Sequence, residues 1–576
     1  MSRYWGNYWQ RRMTRRGVVS GGAALATGLA GMAIAGCGDD DDDDDNGDAG
    51  NGDNSQLTPV APTQDASAKP VKGGTLRVLT TIGSNFDPHR TNTPAESYFI
   101  WGAVGNTLIR FSTKDPGATE GDLAASLPEI PADGVTLIFK LRPEAKWQNR
   151  APVNGRAVTA EDVKLSFERI KDPAIQSPRA GNFGNVDSIT VIDEKTVQFK
   201  LKAPQADLFS IMADQYNFVI PKEIAVKGLD AIQKPEDVIG SGPYELADFT
   251  AAQKFTLKRR ADGYWRENTS WLDAIEYLHQ PDPQQVLNAL RANQTDVGGL
   301  TADLAATLAN DKNYVITRAP TTTRECLLIN HGIDRYKDPR VRLALSRGIN
   351  RAQVYETVFG GLGFVGGPMT PAAPFWVLSD AELAKLPGYG KRDDEIKEAK
   401  ALLAAAGFPN GFEETVLTVT AFDTEKVHDV VVSNLKDIGI TVKTENVGTD
   451  FAANFLPREV QRKYNLATTL FLSGGYPDAQ LTLYHHSDVK TKGTRNYGDY
   501  SLQGLDAKLD KQSTMYDSRE RLPLVKEIQK DIINAPGPLW MGSRGLLSVW
   551  NSKVQNPASF PFAAGFYTAE NVWLKA

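Results

Sequence analysis

The stretch from residue 147 to residue 163 reads WQNRAPVNGRAVTAEDV, and its last five residues begin a helix. Thr159 is a good N-cap, because its side-chain oxygen can accept a hydrogen bond from the free N–H groups of the first turn. Two carboxylates follow, where the helix dipole favours negative charge. Apolar residues then recur on one face, at Val163, Phe167 and Ile170. The pattern predicts an amphipathic helix over residues 160–171.

Strand and helix patterns alternate on both sides of this helix. Apolar and polar residues alternate, as in half-buried strands, over residues 75–80, 135–141, 196–201 and 254–257. Further helices are predicted to begin at Asp338-Pro339 and to cover residues 394–406 and 427–435. This order of elements predicts a mixed α/β fold.

Length and composition exclude several classes of protein. The chain has 576 residues, of which 41 % are hydrophobic, enough for several domains with large cores. This apolar content excludes disorder throughout, and the mean hydropathy of −0.35 excludes a polytopic membrane protein. Two cysteines exclude a disulfide scaffold and a cysteine-cluster zinc site. Residues 71–576 carry 58 Lys and Arg against 60 Asp and Glu, so we expect no nucleic-acid partner.

The first 36 residues are predicted to be an export signal. Residues 1–16 contain five arginines and no acid, and residues 17–36 are uncharged and rich in Gly and Ala. This low hydrophobicity is typical of a cleaved signal rather than a permanent membrane helix. Residues 14–19 resemble the twin-arginine export motif, although the sequence does not decide between Tat and Sec export.

A lipid anchor is predicted directly after the signal. Ile34-Ala35-Gly36-Cys37 resembles the lipobox of bacterial lipoproteins, which implies that Cys37 is diacylated and becomes the mature N-terminus. Residues 37–70 include seven consecutive aspartates and many Gly, Asn, Ser and Pro residues. Because like charges repel, this stretch is expected to be a disordered, solvated tether. The body of the protein would then be held just outside a membrane.

The motifs of the body occur in a characteristic order. The opening stretch is followed by GSGPY at residues 240–244, DGYW at 262–265, Asn330, and DPRVRLAL at 338–345. Together they resemble the motif series of the family 5 extracellular solute-binding proteins, the peptide and nickel receptors of bacterial ABC importers. Asn149-Arg150 stands where the family usually has Asp-Gly, and Asn350-Arg351 where it has Asp-Arg. The resemblance covers essentially all of residues 71–576.

The resemblance implies an α/β architecture of two lobes, similar to the type II periplasmic-binding-protein fold, with an extra domain inserted in the first lobe. Carried onto this chain, lobe I takes residues 71–112, 240–318 and 540–576, the insert takes 113–239, and lobe II takes 319–539. The chain would cross between the lobes near residues 318–330 and 536–544.

Three segments are candidates for contact with a ligand, because each lies in a loop where a cleft is expected, two of them directly after a strand. They supply Phe86 and Asp87, Phe375 and Trp376, and Tyr476 and Asp478. The alternative for each is a loop residue that is fixed by packing.

The third segment departs from the family's peptide binders. Those relatives usually have a Trp and an Asp here, and the Asp holds the α-ammonium of the peptide. This chain has Leu472 and Gly475 instead. A buried ammonium without a counter-ion is costly. Either the ligand is uncharged at that end, such as an oligosaccharide stacked on aromatic rings, or Asp87 or Asp478 replaces the anchor.

No residues are spaced for catalysis or for metal binding. The six histidines form no H-x-x-x-H pair, and the adjacent His485 and His486 would face opposite ways in an extended segment. Ser241 lacks the spacing of a nucleophile elbow. The glycine cluster at residues 360–363 is not followed by Lys-Ser or Lys-Thr. We therefore expect no catalytic residues, no metal and no cofactor.

These observations predict a lipid-anchored substrate-binding protein on the extracytoplasmic face of the cell membrane. It would capture a small solute (a peptide, an oligosaccharide or a similar molecule) between two lobes and deliver it to an ABC permease. We expect a monomer whose partners are the solute, the permease and, through the lipid, the membrane. A ligand-sensing receptor of the same fold and a surface hydrolase are the alternatives.

Overall fold

The structure is a computed structural model that describes residues 69–83, 85–91, 95–112, 118–557 and 564–575. The predicted export signal, Cys37 and nearly all of the predicted tether lie outside these residues. Within the described ranges, none of the helices combines the length and the apolar character needed to cross a membrane. Strands and helices alternate along the chain, which confirms the predicted α/β class.

The strands of the described residues are numbered in chain order. They are β1 Thr75–Thr80, β2 Ile109–Phe111, β3 Thr119–Gly121, β4 Thr136–Lys140, β5 Val186–Asp193, β6 Thr196–Leu201, β7 Tyr244–Thr250, β8 Lys254–Arg259, β9 Ala274–His279, β10 Val297–Gly299, β11 Tyr314–Ile329, β12 Gly363–Val365, β13 Phe412–Thr418, β14 Ile440–Asn446, β15 Leu466–Leu472, β16 Leu539–Asn551, β17 Val554–Gln555 and β18 Trp573–Leu574.

The helices are identified by their residue ranges. The α-helices are Gly102–Val104, Ala160–Lys171, Leu208–Met212, Lys222–Ala225, Pro283–Arg291, Ala302–Ala306, Asp334–Lys337, Pro339–Gly348, Arg351–Phe359, Asp380–Leu383, Arg392–Ala405, Thr424–Asp437, Leu456–Val460, Leu483–His485, Leu505–Ser513, Ser518–Asn534 and Ala564–Asn571. Short 3₁₀ turns are Pro173–Ile175, Ala180–Phe183, Gly228–Asp230 and Pro235–Asp237, and π-helical turns are Ala95–Trp101, Phe451–Phe455 and Asp478–Thr482.

The helix Ala160–Lys171 begins and ends as the sequence predicts. The Thr159 backbone N–H donates to Asp162 Oδ2 at 2.8 Å, and the Asp162 N–H donates to Thr159 Oγ1 at 3.4 Å, which completes a capping box. Its apolar face is buried against a three-stranded sheet of order β4-β6-β5. The other predicted helices are present as Pro339–Gly348, Arg392–Ala405 and Thr424–Asp437.

One sheet of eleven strands runs through the body. Its order is β14-β13-β15-β11-β16-β10-β1-β9-β8-β7, and β12 also pairs with β16. Strand β1 is parallel to β9 and β10, while β13 is parallel to β14 and β15. The long strands β11 and β16 pair antiparallel to each other between these two groups. We call the side with β1 and β7–β10 the first side, and the side with β13–β15 the second side.

The two predicted crossings fall on β11 and β16. The register between these strands shifts between Pro320 and Arg324, and again between Glu325 and Cys326. A shift of this kind interrupts the ladder and bends the strand. The pair therefore joins two otherwise separate groups of parallel strands, although the domain boundaries given above stay a prediction.

Separate hydrophobic clusters fill the two sides. The first cluster, on the first side, includes Trp101, Trp147 and Phe199 and reaches into the three-stranded sheet. On the second side, one cluster packs Leu327 against Leu466, and another contains Cys326, Phe471 and Trp540. A further cluster, here called the helical cluster, lies beneath the helices Leu505–Ser513 and Ser518–Asn534. Each side thus has its own core.

Candidate functional site

Phe86 is a core residue in this structure. It follows β1, as predicted, but its side chain is buried in the first cluster. Its ring meets the ring of Phe249 edge to face, with 4.6 Å between the centroids. Its backbone carbonyl accepts a hydrogen bond from Trp101 Nε1 at 2.7 Å. These contacts are those of a packing residue, the alternative considered for it.

Asp87 is buried in an ion pair. Its carboxylate accepts hydrogen bonds from both terminal nitrogens of Arg169, at 3.0 Å and 2.5 Å, and both side chains are almost fully buried. Arg169 also lies 2.9 Å from His89 Nδ1. The pair fastens the loop after β1 to the helix Ala160–Lys171. The charge of Asp87 is therefore already neutralised within the protein.

Phe375 and Trp376 lie side by side on the helical cluster. Trp376 is buried, and its ring meets that of half-buried Phe375 edge to face at 4.8 Å. Gln529 Nε2 donates to the Trp376 carbonyl at 2.7 Å, and the Arg521 guanidinium lies 5.3 Å from the Trp376 ring. Trp376 contributes mainly to packing, whereas the half-buried ring of Phe375 is partly accessible.

Asp478 begins the π-helical turn that follows β15, and several donors hold its carboxylate. Its Oδ1 accepts from Thr482 Oγ1 at 2.9 Å and from Gln512 Nε2 and Ser513 Oγ at 2.5 Å each. Its backbone N–H donates to Asp207 Oδ2 at 2.5 Å. These bonds order the π-helical turn Asp478–Thr482 and occupy one oxygen of the carboxylate.

Tyr476 lies where the two sides meet. It is half-buried, it follows β15 on the second side, and it packs against the first cluster. Burial and the nearby carboxylates of Asp207, Asp214 and Asp478 raise the pKa of the Tyr476 hydroxyl. The phenol therefore stays protonated and can donate a hydrogen bond.

A buried ion pair joins the two sides at this place. Asp207 directly precedes Leu208 of the first cluster, and Arg521 lies on the helix Ser518–Asn534, which packs on the helical cluster. Arg521 Nη1 donates to Asp207 Oδ1 at 2.5 Å, and Arg521 Nε donates to Gln512 Oε1 at 2.9 Å. Burial raises the pKa of Asp207 to about 7, although Arg521 opposes this effect. We call Asp207, Asp478, Gln512 and Arg521 the Asp207 bridge.

Arg324 was not among the residues predicted from the sequence. It lies on β11 and is fully buried, with its guanidinium 3.7 Å from the centroid of the Trp540 ring. Nη1 donates to the Pro368 carbonyl at 2.6 Å, and Nη2 lies 3.5 Å from Ser473 Oγ. Burial lowers the pKa of Arg324 to about 10. The only signal in the sequence is the adjacent charged pair Arg324-Glu325 at the start of an apolar run that is typical of a buried strand.

Comparison with known proteins assigns the chain to a family. The sequence model of the bacterial extracellular solute-binding proteins, family 5, middle region, matches residues 118–493, more than half of the chain. The chain belongs to the family 5 extracellular solute-binding proteins. Members of this family are extracytoplasmic substrate-binding proteins of ABC importers and are not enzymes.

Relatives of known identity agree with this assignment. The glutathione-binding protein GsiB of Salmonella typhi is 26 % identical over 473 residues, which cover 80 % of this chain and 87 % of GsiB. HbpA2 from Haemophilus parasuis superposes with a TM-score of 0.76 at 21 % identity, over 87 % of this chain and 100 % of HbpA2. The unliganded open form of the murein tripeptide-binding protein MppA gives 0.76 at 19 %, over 88 % and 98 %. These structures confirm the two-lobed α/β fold.

In this family 5 fold, we expect the first and second sides to correspond to the two lobes, as the predicted crossings on β11 and β16 imply. Of the predicted ligand residues, Trp376 and Asp478 meet at Arg521, whose Nη2 lies 3.8 Å from Asp478 Oδ1. Among the described residues, no hydrogen bond, ion pair or ring contact links Phe86 or Asp87 to them. The ligand role of all six residues stays a prediction.

His485 of this family 5 protein serves packing and hydrogen bonding. His485 ends the helix Leu483–His485, so the expectation of an extended segment there is wrong. It accepts from Trp540 Nε1 at 3.1 Å, and burial lowers its pKa to about 3, which keeps the ring neutral. In the part of the chain that the structure describes, no group of three or more His, Cys, Asp or Glu residues is placed to hold a metal.

Proposed function

We propose that this protein is a lipid-anchored binding protein that captures a small solute between its lobes and hands it to an ABC permease. The observation that carries this proposal is the pair β11 and β16, which joins two groups of parallel strands that have separate hydrophobic cores. Two strands with interrupted register can bend while both cores stay rigid. A solute that contacts both lobes would favour the conformation in which they approach.

The proposed role requires that the solute is bound and released chemically unchanged. Relatives named for glutathione and for a murein tripeptide support a small solute, a peptide or a molecule of similar size. The polar residues at the lobe boundary are engaged in hydrogen bonds with one another, as in the Asp207 bridge. A ligand that excluded water there would strengthen such contacts. The function therefore rests on a population shift and on recognition by the permease.

Lobe closure is tested by small-angle scattering with and without the cognate ligand, which mass spectrometry of material released on denaturation can identify. We expect a smaller radius of gyration in the presence of ligand, and recovery of the ligand unchanged. Chemical alteration of the ligand during incubation would contradict a pure binding role and favour a hydrolase. An unchanged radius of gyration at saturation would contradict capture by closure.

The lipid anchor is tested at Cys37. Replacement Cys37→Ser should release the protein from the membrane or leave the precursor uncleaved, because a serine offers no thiol for acylation. Cys326, which is buried on β11, is the matched control, since Cys326→Ser should leave membrane retention unchanged. Retention and size unaffected by Cys37→Ser would exclude the anchor.

Pairs of compounds that differ in one charged group test how the α-ammonium of a peptide ligand would be bound. We propose that no carboxylate at position 475 holds a peptide α-ammonium, since that residue is a glycine. A charge-assisted hydrogen bond contributes roughly 1.5–3 kcal/mol, so its loss should be measurable. Peptides, their N-acetyl forms and neutral oligosaccharides are compared by thermal shift, where a hundred-fold excess over Kd adds about 2.7 kcal/mol. Tight binding of peptides that is lost on N-acetylation, and kept in Asp87→Asn and Asp478→Asn, would contradict the proposal.

A further inference from the structure

The environment of Arg324 resembles a prepared anion site. One face of its guanidinium lies over the Trp540 ring at 3.7 Å, and the Tyr484 ring centroid is 5.5 Å away. Nη1 donates to the Pro368 carbonyl at 2.6 Å. Stacking and this bond fix the plane and one end of the group, so its orientation is set before any ligand arrives.

The remaining edge of the guanidinium lacks a good acceptor. Nε has no hydrogen-bond partner although it is buried, and the side chains that accept from the rest of the group are uncharged: Ser473 Oγ, which lies 3.5 Å from Nη2, and the Tyr484 hydroxyl. Among the described residues, no Asp or Glu forms an ion pair with Arg324. Nε and Nη2 form the edge that binds a carboxylate through two parallel hydrogen bonds.

The acids near Arg324 do not compensate its charge. Glu325 is the next residue on β11, so its side chain points to the other face of the strand. There it forms an ion pair with Arg544 at 2.5 Å and accepts from the Tyr355 hydroxyl at 3.1 Å. Glu459 is buried near Cys326, and burial raises its pKa to about 8, so it is mainly uncharged at neutral pH. A buried cation without a counter-ion costs free energy.

Two loops meet beside this buried edge. Residues 366–370 carry Pro368, and residues 473–475 follow the carboxyl end of β15, where α/β proteins commonly bind ligands. Gln480 ties the loops together, because its Nε2 donates to the Gly474 carbonyl at 2.8 Å and its Oε1 accepts from the Thr370 N–H at 2.6 Å. A second guanidinium, Arg495, donates to the Leu472 carbonyl at 3.0 Å.

We propose that the Nε–Nη2 edge of Arg324 binds a carboxylate of the captured solute, so that the ligand is anionic at the end that enters between residues 366–370 and 473–475. This inference rests on the proposed function, since it concerns the solute held between the lobes. In the family's peptide binders, residues 472–475 would carry an acid. In this chain the guanidinium groups of Arg324 and Arg495 lie beside that segment. The carboxylate can belong to a peptide C-terminus or to a sugar acid.

The first test compares acids with their neutral forms. The probes are trialanine and its C-terminal amide, and trigalacturonic acid and its methyl ester, titrated against the full-length protein by calorimetry. We expect at least one acid to bind about ten- to a hundred-fold more tightly than its neutral form, because the bond is charge-assisted. The preference should fall to about one-fold in Arg324→Met and should be reduced in Arg324→Lys, which lacks the planar fork. Whichever acid is preferred identifies the source of the carboxylate.

The second test needs no ligand. Arg351 is the matched control, a buried arginine that lies 4.3 Å from the Tyr389 ring and donates to the Trp540, Ser346 and Gly388 carbonyls. Arg351→Met should lower the melting temperature, because these acceptors lose their donors. Arg324→Met should lower it much less or even raise it, because the loss of one donor to the Pro368 carbonyl is offset by the removal of an uncompensated buried charge.

Each result has a defined meaning. A melting temperature lowered as much in Arg324→Met as in Arg351→Met would show that Arg324 is structural and would overturn the inference. Equal affinity of wild type and Arg324→Met for a carboxylate ligand would also overturn it, and so would a preference for the amide or ester. If the affinities are equal or the neutral form is preferred, compaction on binding would still support the proposed function. Chemical alteration of the probe would contradict the proposed function but not the carboxylate site.

Discussion

The Asp87 carboxylate is bound by Arg169, and this contact determines what its removal should do. Asp87→Asn leaves Arg169 buried without a counter-charge, which typically costs about 3–5 kcal/mol. We expect a lower midpoint of urea unfolding and an unchanged affinity for solute. As a control, Asp334→Asn removes an exposed ion pair with Lys337 and should change stability by less than about 0.5 kcal/mol. Normal stability with lost affinity would instead assign Asp87 to the ligand site.

Glu459 should make stability depend on pH. Burial raises its pKa from 4.5 to about 8, so the folded protein binds this proton at pH values where the unfolded chain has released it. By linkage, the free energy of unfolding falls as pH rises from about 4.5 to 8. Glu459→Gln removes this penalty, and its stabilising effect should grow with pH to roughly 3 kcal/mol near pH 7. Exposed Glu398→Gln is the control. An effect of equal size in melts at pH 5 and pH 8 would contradict the assignment.

At the scale of elements, the capping box of the helix Ala160–Lys171 predicts an order of stability among three variants. Thr159→Ala removes the side-chain cap and should cost about 1 kcal/mol, while Thr159→Ser should be close to neutral. Asp162→Asn should cost more, because Asp162 also accepts from Arg156 Nη2 at 2.7 Å and from the Lys222 N–H at 2.8 Å. Denaturant unfolding of the three variants gives the order. A larger loss in Thr159→Ala than in Asp162→Asn would show that the cap itself dominates.

Local patterns predicted the elements better than they predicted the site. The N-cap at Thr159 and the apolar face behind it depend on neighbours within one helix, so the sequence contains the whole signal. The position of Tyr476 after β15 was predicted for the same reason. Whether a loop residue faces a cleft or a core depends on distant partners. Phe249 covers Phe86, and no local pattern indicates this contact.

Arg324 was missed for a related reason. A charged residue in a strand pattern is ordinarily read as a solvent-facing position, and its burial becomes visible only when Trp540 and Pro368 are brought to it from more than 40 residues away. The absence of a counter-ion is likewise a property of the folded neighbourhood. A buried charge without a counter-ion lowers stability, and positions that lower stability in this way are often functional.

At the scale of the whole molecule, one eleven-stranded sheet runs through both sides, whereas each side has its own hydrophobic core. On the proposed lobe assignment, strands β11 and β16 link the lobes, and a link of two strands resists bending less than a shared core would. The distance between the lobes must therefore depend on contacts away from this link. The Asp207 bridge is such a contact, because Asp207 directly precedes Leu208 of the first cluster, whereas Arg521 lies on the helix Ser518–Asn534, which packs on the helical cluster.

The Asp207 bridge should govern the separation of the lobes rather than the stability of either core. Arg521→Met leaves Asp207 buried without its cation, and breaking a buried pair from one side typically costs about 3–5 kcal/mol. Because this cost can be relieved by separating the lobes, where water reaches the carboxylate, we expect a larger radius of gyration by small-angle scattering. The loss in melting temperature should be modest. The double variant Asp207→Leu/Arg521→Met removes both charges, and its radius should return towards that of the wild type. An unchanged radius in Arg521→Met, together with a large fall in melting temperature, would instead show that the bridge stabilises the fold and does not control closure.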